Sequence, residues 1–451
     1  MLKVPTWQHR WVPLAMVFHC ALLVVGCRST SAPRPPNVLL IVADALRADH
    51  LSAYGYQRPT SPNFDALAAI GVLYLQAHAT TSWTNPSVAS LFTGQRPRVL
   101  RAGAPEYIAA DATTLAEAFH TAGYRTGAMV GNLFLAPEAG FAQGFDDYVP
   151  AAPWMRRPTE VVKQPAERLN ALASAWLHAA PAGAARPWFL YVHYMDPHWP
   201  YEPPPEAAQQ FWRSADTPMA TTMRPLNKKL REHDSELTAR EIEQSIDLYD
   251  GAIAHFDAQV AALLAELKQS GQLANTIVCI TADHGEEFGD HGGFRHARTL
   301  YEEMLHVPLL IVGAGAAARI DRLVQTPQIG RTLLDAAGVP AAGFAGGSLD
   351  AEHAAGADGA WLAELAPWAG AIHQQALLRG SDKLIVTADA QRLLFNLRED
   401  PGERRNRSAE DPELAAQLGQ LLGQVDAHQQ EPTNPPDPGL RERMRALGYD
   451  F

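Results

Sequence analysis

The chain has 451 residues, of which 47% are hydrophobic and 19% are charged, so it is long enough for one large α/β domain with a smaller one appended. This composition differs from that of disordered, collagen-like or multi-span membrane proteins. The formal net charge of -12, without any run of Lys or Arg, argues against a nucleic-acid-binding surface, and no nucleic acid is expected among the partners.

Residues 1–26 are predicted to be a lipoprotein signal peptide. Basic residues near the start precede an apolar stretch at 11–25 that is too short to span a membrane comfortably. The stretch ends in Leu23-Val24-Val25-Gly26-Cys27, which resembles a bacterial lipobox, in which the cysteine receives the lipid. The alternatives are an uncleaved anchor helix and an ordinary signal peptide. Residues 27–36 are interpreted as a lipidated tether, and the protein is expected in the bacterial cell envelope, lipid-anchored on the periplasmic face or the cell surface.

After the tether, buried strands alternate with capped helices. The run from Asn37 to Ala43 is almost continuously apolar, which suits a strand buried on both faces of a parallel sheet. Four later runs with strand character lie at 126–130, 188–193, 276–281 and 307–312. Helix starts are indicated by Ser61-Pro62 and by the capping-box pairs Thr114/Glu117 and Thr238/Glu241. This alternation, with polar residues at strand ends, predicts a doubly wound sheet whose ligands gather along one edge.

The C-terminal part has a different pattern. An Ala/Gly-rich stretch at 338–360 is interpreted as a loop or a domain connection. Short strand candidates follow at 376–378, 383–387 and 392–397, and then a helix at about 412–425. We predict a large domain at 37–340, a small antiparallel α+β subdomain at 341–430 and an extended, proline-rich tail at 431–451.

Two strand ends carry groups that could bind a metal ion. Asp44 follows the first strand, and the adjacent Asp283 and His284 follow the strand at 276–281. The pair offers one oxygen and one nitrogen ligand. Taken alone, Asp44 could equally be a helix cap, and the histidine could cap a helix or bond a carbonyl.

Two further segments place hydroxyl and imidazole groups at similar positions. Thr84 stands just before Pro86 at a helix start, where free backbone amides and the helix dipole favour an anion; the alternative is a simple cap. His193 and His198 lie around the polar loop that follows the strand at 188–193, and could be there only for packing.

Together, the order and spacing of these segments resemble the sulfatase family of the alkaline phosphatase superfamily. The matching stretches are the first strand with Asp44, Pro86-Ser87-x-Ala89-Ser90-Leu91-Phe92-Thr93-Gly94, Asp196-Pro197-His198-x-Pro200-Tyr201, Asp283-His284-Gly285-Glu286, and Asp400-Pro401-Gly402-Glu403. The resemblance covers nearly all of the chain from Pro36 to about Leu422. It implies an α/β fold of the alkaline-phosphatase type, with a doubly wound, mostly parallel sheet, helices on both faces, and a small C-terminal antiparallel α+β subdomain.

The resemblance also implies a metal site and a nucleophile. Asp44, Asp283 and His284 would hold one divalent cation, and Thr84 at the nucleophile position would complete the site. A cation beside the hydroxyl would lower its pKa and draw charge from the ester oxygens.

Three histidines take roles from the same resemblance. His198 aligns with the loop histidine that contacts the transferred group or the leaving oxygen in this family. His291 and His296 fall near the place of a substrate-binding Lys or His, and His296 is our hypothesis for the acid that protonates the leaving group. The alternative is that these are surface histidines.

The chain departs from the usual sulfatase pattern at three positions. Ordinary sulfatases carry Cys or Ser at the nucleophile position, oxidised to formylglycine and followed by x-Pro-Ser-Arg, where this chain has Thr84 and Val88. Threonine lacks the primary carbon that oxidation to an aldehyde needs, so no formylglycine is expected. The second acidic residue of many sulfatases is Ala45 here, which leaves fewer oxygen ligands for Ca²⁺. Mn²⁺ or Zn²⁺ suits the remaining set at least as well, and Mg²⁺ stays among the candidates.

These observations lead to one main hypothesis and two alternatives. The main hypothesis is a metal-dependent hydrolase of a sulfate or phosphate ester that uses Thr84 as nucleophile and acts on a small-molecule, glycan or lipid ester. Threonine at this site also resembles the phosphoglycerol and phosphoethanolamine transferases of the superfamily, so a head-group transferase is one alternative. A catalytically silent, anion-binding surface lipoprotein is the other.

Overall fold

A computed structural model of the chain describes residues 1, 34–97, 108–151, 163–179, 186–233, 236–350, 360–365 and 374–427. The predicted signal peptide, Cys27 and the tail at 431–451 lie outside the described residues except for Met1, and the predictions on them and on the domain bounds stay predictions. Within the described ranges, no helix is both long enough and apolar enough to cross a bilayer.

The elements alternate along the chain much as the sequence pattern indicates. The described strands are β1 (Asn37–Ala43), β2 (Val72–His78), β3 (Arg125–Val130), β4 (Asp147–Val149), β5 (Trp188–Tyr194), β6 (Thr276–Ala282), β7 (Glu287–Phe288), β8 (Phe294–Arg295), β9 (Leu309–Val312), β10 (Ala318–Gln325), β11 (Ala360–Leu365), β12 (Gln374–Arg379), β13 (Asp382–Val386) and β14 (Arg392–Asn396). The described helices are α1 (Pro62–Ala68), α2 (Thr84–Thr93), α3 (Leu115–Thr121), α4 (Ala166–His178), α5 (Pro205–Phe211), α6 (Met219–Glu232), α7 (Ala239–Gln269), α8 (Glu302–Leu305), α9 (Pro327–Ala336) and α10 (Pro412–Ala427).

An eight-stranded sheet runs through the large domain in the order β10-β2-β9-β6-β1-β5-β3-β4. All neighbouring strands are parallel except for β9, which runs antiparallel to both β2 and β6. The mostly parallel, doubly wound fold is therefore confirmed. The strand predicted at 307–312 exists, but an apolar run does not reveal its direction, so the reversal of β9 was not predictable.

Strand β1 lies near the middle of the sheet and serves both hydrophobic cores. Its side chains point alternately to opposite faces, as strand geometry requires. Leu40 and Val42 pack in one core, and Leu39 and Ile41 pack in the other. Helices α2, α3 and α9 contribute to the first core, and helices α1, α4 and α7 contribute to the second, so both faces of the sheet are covered.

Two helix starts follow the predicted capping boxes. The Thr114 side chain accepts from the Glu117 amide at the start of α3, and the Thr238 side chain accepts from the Glu241 amide at the start of α7. In both boxes the glutamate side chain returns a bond to the backbone of the threonine. The 31-residue helix α7 then packs its apolar stripe across one face of the sheet.

The C-terminal part is a four-stranded antiparallel sheet in the order β11-β12-β13-β14. Helix α10 covers one face, and residues around α8 pack on the other. The predicted small α+β subdomain is confirmed, with strands within about two residues of the predicted ones. Strand β11 was not predicted, and it connects to the large domain through a bond from the Glu364 amide to the Thr80 carbonyl (2.8 Å).

Candidate metal centre and active site

The site lies where two adjacent strands end. Strands β1 and β6 are parallel neighbours with Ala43 opposite Ala282, so the next residues of both strands emerge side by side. Those residues are Asp44 on one strand and Asp283 with His284 on the other. Ligands in open α/β sheets gather at this carboxyl edge, and the topology alone therefore brings the predicted metal ligands together.

The three side chains form a tight, buried cluster. Asp44, Asp283 and His284 each offer a ligand atom within 4.8 Å of the other two. The Nε2 atom of His284 lies 3.7 Å from Oδ1 of Asp44 and 3.6 Å from Oδ2 of Asp283. Among the described residues, these three form the one group of at least three acidic, imidazole or thiol side chains that are close enough together to bind the same metal ion.

Each carboxylate has one oxygen held by the protein and one without a hydrogen-bond partner. Oδ2 of Asp44 accepts from Asn132 Nδ2 (2.6 Å) and from His193 Nε2 (3.1 Å). Oδ1 of Asp283 accepts from the amides of Ala45 (3.2 Å) and His284 (2.9 Å). The remaining oxygens, Oδ1 of Asp44 and Oδ2 of Asp283, are buried and have no such partner among the described residues.

The electrostatics of the pair favour a cation between these oxygens. Burial and the neighbouring charge of Asp44 raise the pKa of Asp283 well above its usual range. Burial also opposes ionisation of Asp44, but nearby imidazoles, with His198 first, and the bond from His193 hold its pKa below the ordinary value. Without a cation, the two carboxylates therefore resist ionising together. An ion with a charge of two would allow both carboxylates to ionise, so the residues fit a divalent metal.

Thr84 lies directly beside this cluster. It is the first residue of α2 and is fully buried, and the N-cap residue of the helix is Trp83, which makes no side-chain capping hydrogen bond. Its Oγ1 lies 3.3 Å from His284 Nε2 and 3.5 Å from Asn132 Nδ2. The threonine is thus turned toward the predicted ligands, and it does not serve as the helix cap.

Two of the three predicted histidines also lie at the cluster. The His296 ring centroid is 4.4 Å from that of His284 and 4.7 Å from that of His198. His296 Nδ1 is 2.7 Å from Oε1 of Glu286, and His198 Nδ1 contacts the carbonyl of Trp199. Both imidazoles are buried, so they are not surface histidines. Burial lowers the pKa of His296 well below its ordinary value.

The structure does not bring His291 to the cluster. Its Nδ1 is 2.7 Å from Oε1 of Glu303, its Nε2 is 3.1 Å from the carbonyl oxygen of Glu403, and its ring stacks on Tyr301 at 3.5 Å. Both ring nitrogens are therefore bonded to protein. The substrate-binding role of His291 stays a prediction, and it would require these bonds to open.

Three residues at the site received no role from the sequence. Asn132 comes two residues after β3, at the same sheet edge as Asp44, and the rule applied to the other strand ends would have found it. His193 was noted as an imidazole near the end of β5, but its bond to Asp44 depends on strand order. Glu286, in the quoted Asp-His-Gly-Glu motif, holds His296, a contact across a loop that no spacing rule predicts.

Comparison with known proteins gives the family. Residues 36–339, well over half of the chain, match the family model described as Sulfatase. The chain belongs to the sulfatase family. The resemblance inferred from the motifs is thereby confirmed, and this sulfatase-family chain is an ester hydrolase by class.

Individual relatives agree with that assignment. Arylsulfatase K of Danio rerio is 24% identical over 91% of this chain and 87% of its own length. Iduronate 2-sulfatase of Homo sapiens is 27% identical over 69% of this chain and 65% of its own length. The crystal structure of phosphonate monoester hydrolase from Agrobacterium radiobacter superposes with a TM-score of 0.69 at 23% identity, over 88% of this chain and 97% of that one. This last likeness supports the fold.

Proposed function

We propose that this sulfatase-family chain is a metal-dependent hydrolase that cleaves a sulfate or phosphate ester with Thr84 as its nucleophile. The supporting observation is the position of Thr84 Oγ1, 3.3 Å from His284 Nε2. It lies beside two buried carboxylates, each of which keeps one oxygen that has no hydrogen bond to any described residue. Asp44, Asp283, His284 and Thr84 would hold one divalent ion.

The chemistry of the ligand atoms limits which metal ions could occupy the proposed site. Two carboxylate oxygens, one imidazole nitrogen and one hydroxyl suit Mn²⁺ or Zn²⁺ at least as well as Ca²⁺, which takes six to eight oxygen ligands. Mg²⁺ is the fourth candidate. When bound, such an ion would lower the pKa of the hydroxyl and withdraw charge from the ester oxygens.

In the proposed reaction, separate side chains supply the nucleophile, carry the proton and orient the proton carrier. As Thr84 Oγ1 forms a bond to sulfur or phosphorus and the ester oxygen leaves, the hydroxyl proton passes to His296 or His198, which returns it to the leaving oxygen. Glu286 fixes the orientation of the His296 ring through Nδ1. Water then attacks the sulfur or phosphorus of the threonine ester, the bond to Oγ1 breaks, and a proton of the water restores the Thr84 hydroxyl as sulfate or phosphate is released. This second step is needed because a threonine ester, unlike that of a formylglycine hydrate, cannot release the group by collapse to an aldehyde.

The substrate proposed is a sulfate or phosphorus monoester on a small molecule, a glycan or a lipid. The name of iduronate 2-sulfatase describes a sulfated sugar substrate, and the solved hydrolase of similar fold acts on phosphonate monoesters by its title. The lipid anchor at Cys27 and the envelope location remain part of the proposal, since they rest on the lipobox-like residues 23–27.

The experiment compares Thr84→Ala with Ser90→Ala. Ser90 is a second buried hydroxyl on α2 and has no hydrogen-bond partner among the described residues, so its loss controls for general damage to the helix. Full-length protein is assayed on aryl sulfate, phosphate monoester, diester and phosphonate substrates with added Mn²⁺, Zn²⁺, Ca²⁺ or Mg²⁺. We expect Thr84→Ala to lower turnover by at least about 10³-fold and Ser90→Ala to leave it within about threefold.

Other outcomes separate the alternatives. Turnover that survives in Thr84→Ala contradicts the assigned nucleophile. Transfer of the group to an added alcohol, in place of water, would identify a head-group transferase. Tight binding of metal and sulfate without turnover on any substrate would favour the silent, anion-binding protein.

A further inference from the structure

We infer that His193, held by Tyr191, is a positioning residue that fixes Asp44 in the orientation required for metal binding. The inference rests on the proposed metal site and adds two residues that do not touch the metal. Metal ligands in proteins are commonly oriented by such outer partners.

The first step is the geometry around Asp44. His193 lies on β5 opposite Val42 of β1, so the two parallel strands place its ring next to the residue at which β1 ends. Its Nε2 lies 3.1 Å from Oδ2 of Asp44, and Asn132 Nδ2 reaches the same oxygen at 2.6 Å. Two donors on Oδ2 prevent the carboxylate from rotating, and they leave Oδ1 directed toward His284 Nε2, 3.7 Å away.

The second step is the tautomer of the His193 ring. An ionised carboxylate only accepts hydrogen bonds, so the Nε2 of His193 must carry the proton. The other ring nitrogen, Nδ1, lies 2.7 Å from the hydroxyl oxygen of Tyr191. In the neutral ring, Nδ1 is an acceptor and the tyrosine hydroxyl donates to it. Tyr191 thus stabilises the one neutral tautomer that can hold Asp44.

The third step is the burial of these side chains, which makes the two hydrogen bonds of His193 energetically important. Asp44, Tyr191 and His193 are all fully buried, so no solvent can replace a lost bond. A histidine at the end of a buried strand could simply be a satisfied core residue. Here the two ring nitrogens join Tyr191 to a predicted ligand, and hydrogen bonds to a buried charge are stronger than those between neutral groups.

His193 is also better suited to a test than Asn132. The Asn132 amide contacts both Asp44 and the Thr84 hydroxyl, so its replacement would disturb the nucleophile as well. The side-chain hydrogen bonds described for His193 are those with Asp44 and Tyr191. Among the ligands of the proposed site, a change at His193 therefore removes a hydrogen bond from Asp44.

The test measures Mn²⁺ affinity directly, without turnover. Full-length protein, purified in detergent and stripped with a chelator, is titrated with Mn²⁺, and free Mn²⁺ is followed by electron paramagnetic resonance. His193→Leu removes the donor, His193→Gln restores an amide N–H at a similar reach, and Tyr191→Phe removes only the hydroxyl. We expect His193→Leu to weaken binding by about 10- to 100-fold, Tyr191→Phe by about 3- to 10-fold, and His193→Gln by less than about threefold.

The outcomes distinguish this inference from the proposed function. Mn²⁺ affinity within about twofold of wild type in both His193→Leu and Tyr191→Phe overturns the inference, provided that Asp283→Ala abolishes binding and so confirms the metal site. A wild-type protein that binds no Mn²⁺, Zn²⁺, Ca²⁺ or Mg²⁺ overturns the proposed function itself. If His193→Leu does not fold, as judged by circular dichroism, Tyr191→Phe decides, because it keeps the aromatic ring and its packing.

Discussion

At the scale of single residues, the most informative feature of the site is the pair of buried carboxylates, Asp44 and Asp283. In the described part of the chain, Asp44 and Asp283 each keep one buried oxygen without a hydrogen-bond partner, although a buried acceptor without a partner is costly. Such an arrangement persists only where something outweighs its cost. The two unpaired oxygens should therefore lower the stability of the metal-free protein. Replacing one of them with a hydrogen-bond donor should raise it.

Asp283→Asn replaces one bare oxygen with an amide nitrogen. The variant keeps an oxygen for the amides of Ala45 and His284, and its N–H groups face the free oxygen of Asp44. In the presence of a chelator we expect the free energy of unfolding to rise by about 1–3 kcal/mol, and added Mn²⁺ should no longer raise the melting temperature. Thermal unfolding with chelator and with Mn²⁺ measures both effects. A variant less stable than the wild type in chelator, yet still stabilised by Mn²⁺, would contradict the assignment of the ligand.

The raised pKa of Asp196, in the loop before His198, leads us to expect that stability depends on pH. Burial raises its pKa from 3.8 to about 6, and its side chain is only 12% exposed. Because the folded state holds this proton more tightly than the unfolded chain does, the carboxyl stabilises the fold at low pH. Its contribution is lost as the pH rises from about 4 to about 6.

Asp196→Asn should remove this loss of stability. The difference in unfolding free energy between the variant and the wild type should grow in favour of the variant between about pH 4 and pH 6, by at most about 3 kcal/mol, and stay constant above. Urea unfolding at several pH values is the measurement, with Asp111→Asn at an exposed position as control. A difference that does not change with pH would show that Asp196 has an ordinary pKa.

The residues that were predictable are those that follow a strand in the sequence. Asp44, Asp283 and His284 could be located because β1 and β6 are continuous apolar runs whose ends are visible in the sequence. The partners of these ligands were not predictable, since the bond from His193 depends on β5 being next to β1. Adjacency of strands distant in sequence is a property of tertiary structure that no local pattern contains.

At the scale of elements, helix α7 supports the loop that carries Asp44. The hydroxyl of Tyr249 donates to the Ala45 carbonyl (2.6 Å) and accepts from the Arg47 amide (2.9 Å). Ala45 itself has a φ of 59°, in the left-handed region that non-glycine residues seldom adopt. The helix thus stabilises an unfavourable backbone conformation next to the site through one side chain.

Tyr249→Phe should destabilise this loop. Two buried backbone groups lose their partner, and we expect a loss of about 2–4 kcal/mol in unfolding free energy together with weaker Mn²⁺ binding. Tyr124→Phe is the matched control, because the Tyr124 hydroxyl is buried without a hydrogen-bond partner among the described residues. Equal effects of the two substitutions on stability and Mn²⁺ affinity would argue against a supporting role for α7.

The elements themselves were largely predictable where their signals are local. The capping boxes at Thr114 and Thr238 fixed two helix starts to the residue, because both halves of each motif lie within four positions. Strand β10 (Ala318–Gln325) was not predicted, because it lies at an edge of the sheet and its sequence mixes charged residues with apolar ones. Strand β11 escaped because it follows an Ala/Gly-rich stretch without periodicity.

At the scale of the whole molecule, a buried ionic network connects the small sheet to the large one. Lys383 on β13 pairs with Glu302 at 2.9 Å and with Glu403 at 3.0 Å. Glu302 at the start of α8 also lies 2.8 Å from His78, the last residue of β2. Lys383 and Glu403 are fully buried and Glu302 is partly buried, so water has little access to these pairs.

Lys383→Met should leave the buried Glu403 and the partly buried Glu302 without their shared cation. We expect a loss of about 3–5 kcal/mol in unfolding free energy, and the double change with Glu403→Gln should recover part of it. Arg405→Met breaks an exposed pair with Glu410 and should cost at most about 1 kcal/mol. Chemical denaturation followed by circular dichroism gives all three values. If Lys383→Met costs no more than Arg405→Met, the network does not fasten the subdomain.

The groups gathered at the sheet edge are contributed by residues that lie far apart in the chain, from Asp44 to His284. A ribosome has therefore released most of the large domain before the final imidazole is available. Chains interrupted upstream of residue 283 retain an aspartate and a threonine with nothing to complete the constellation. Under the proposed metal site, cation uptake would report chains that extend past His284, which would allow them to be separated from chains truncated upstream of it.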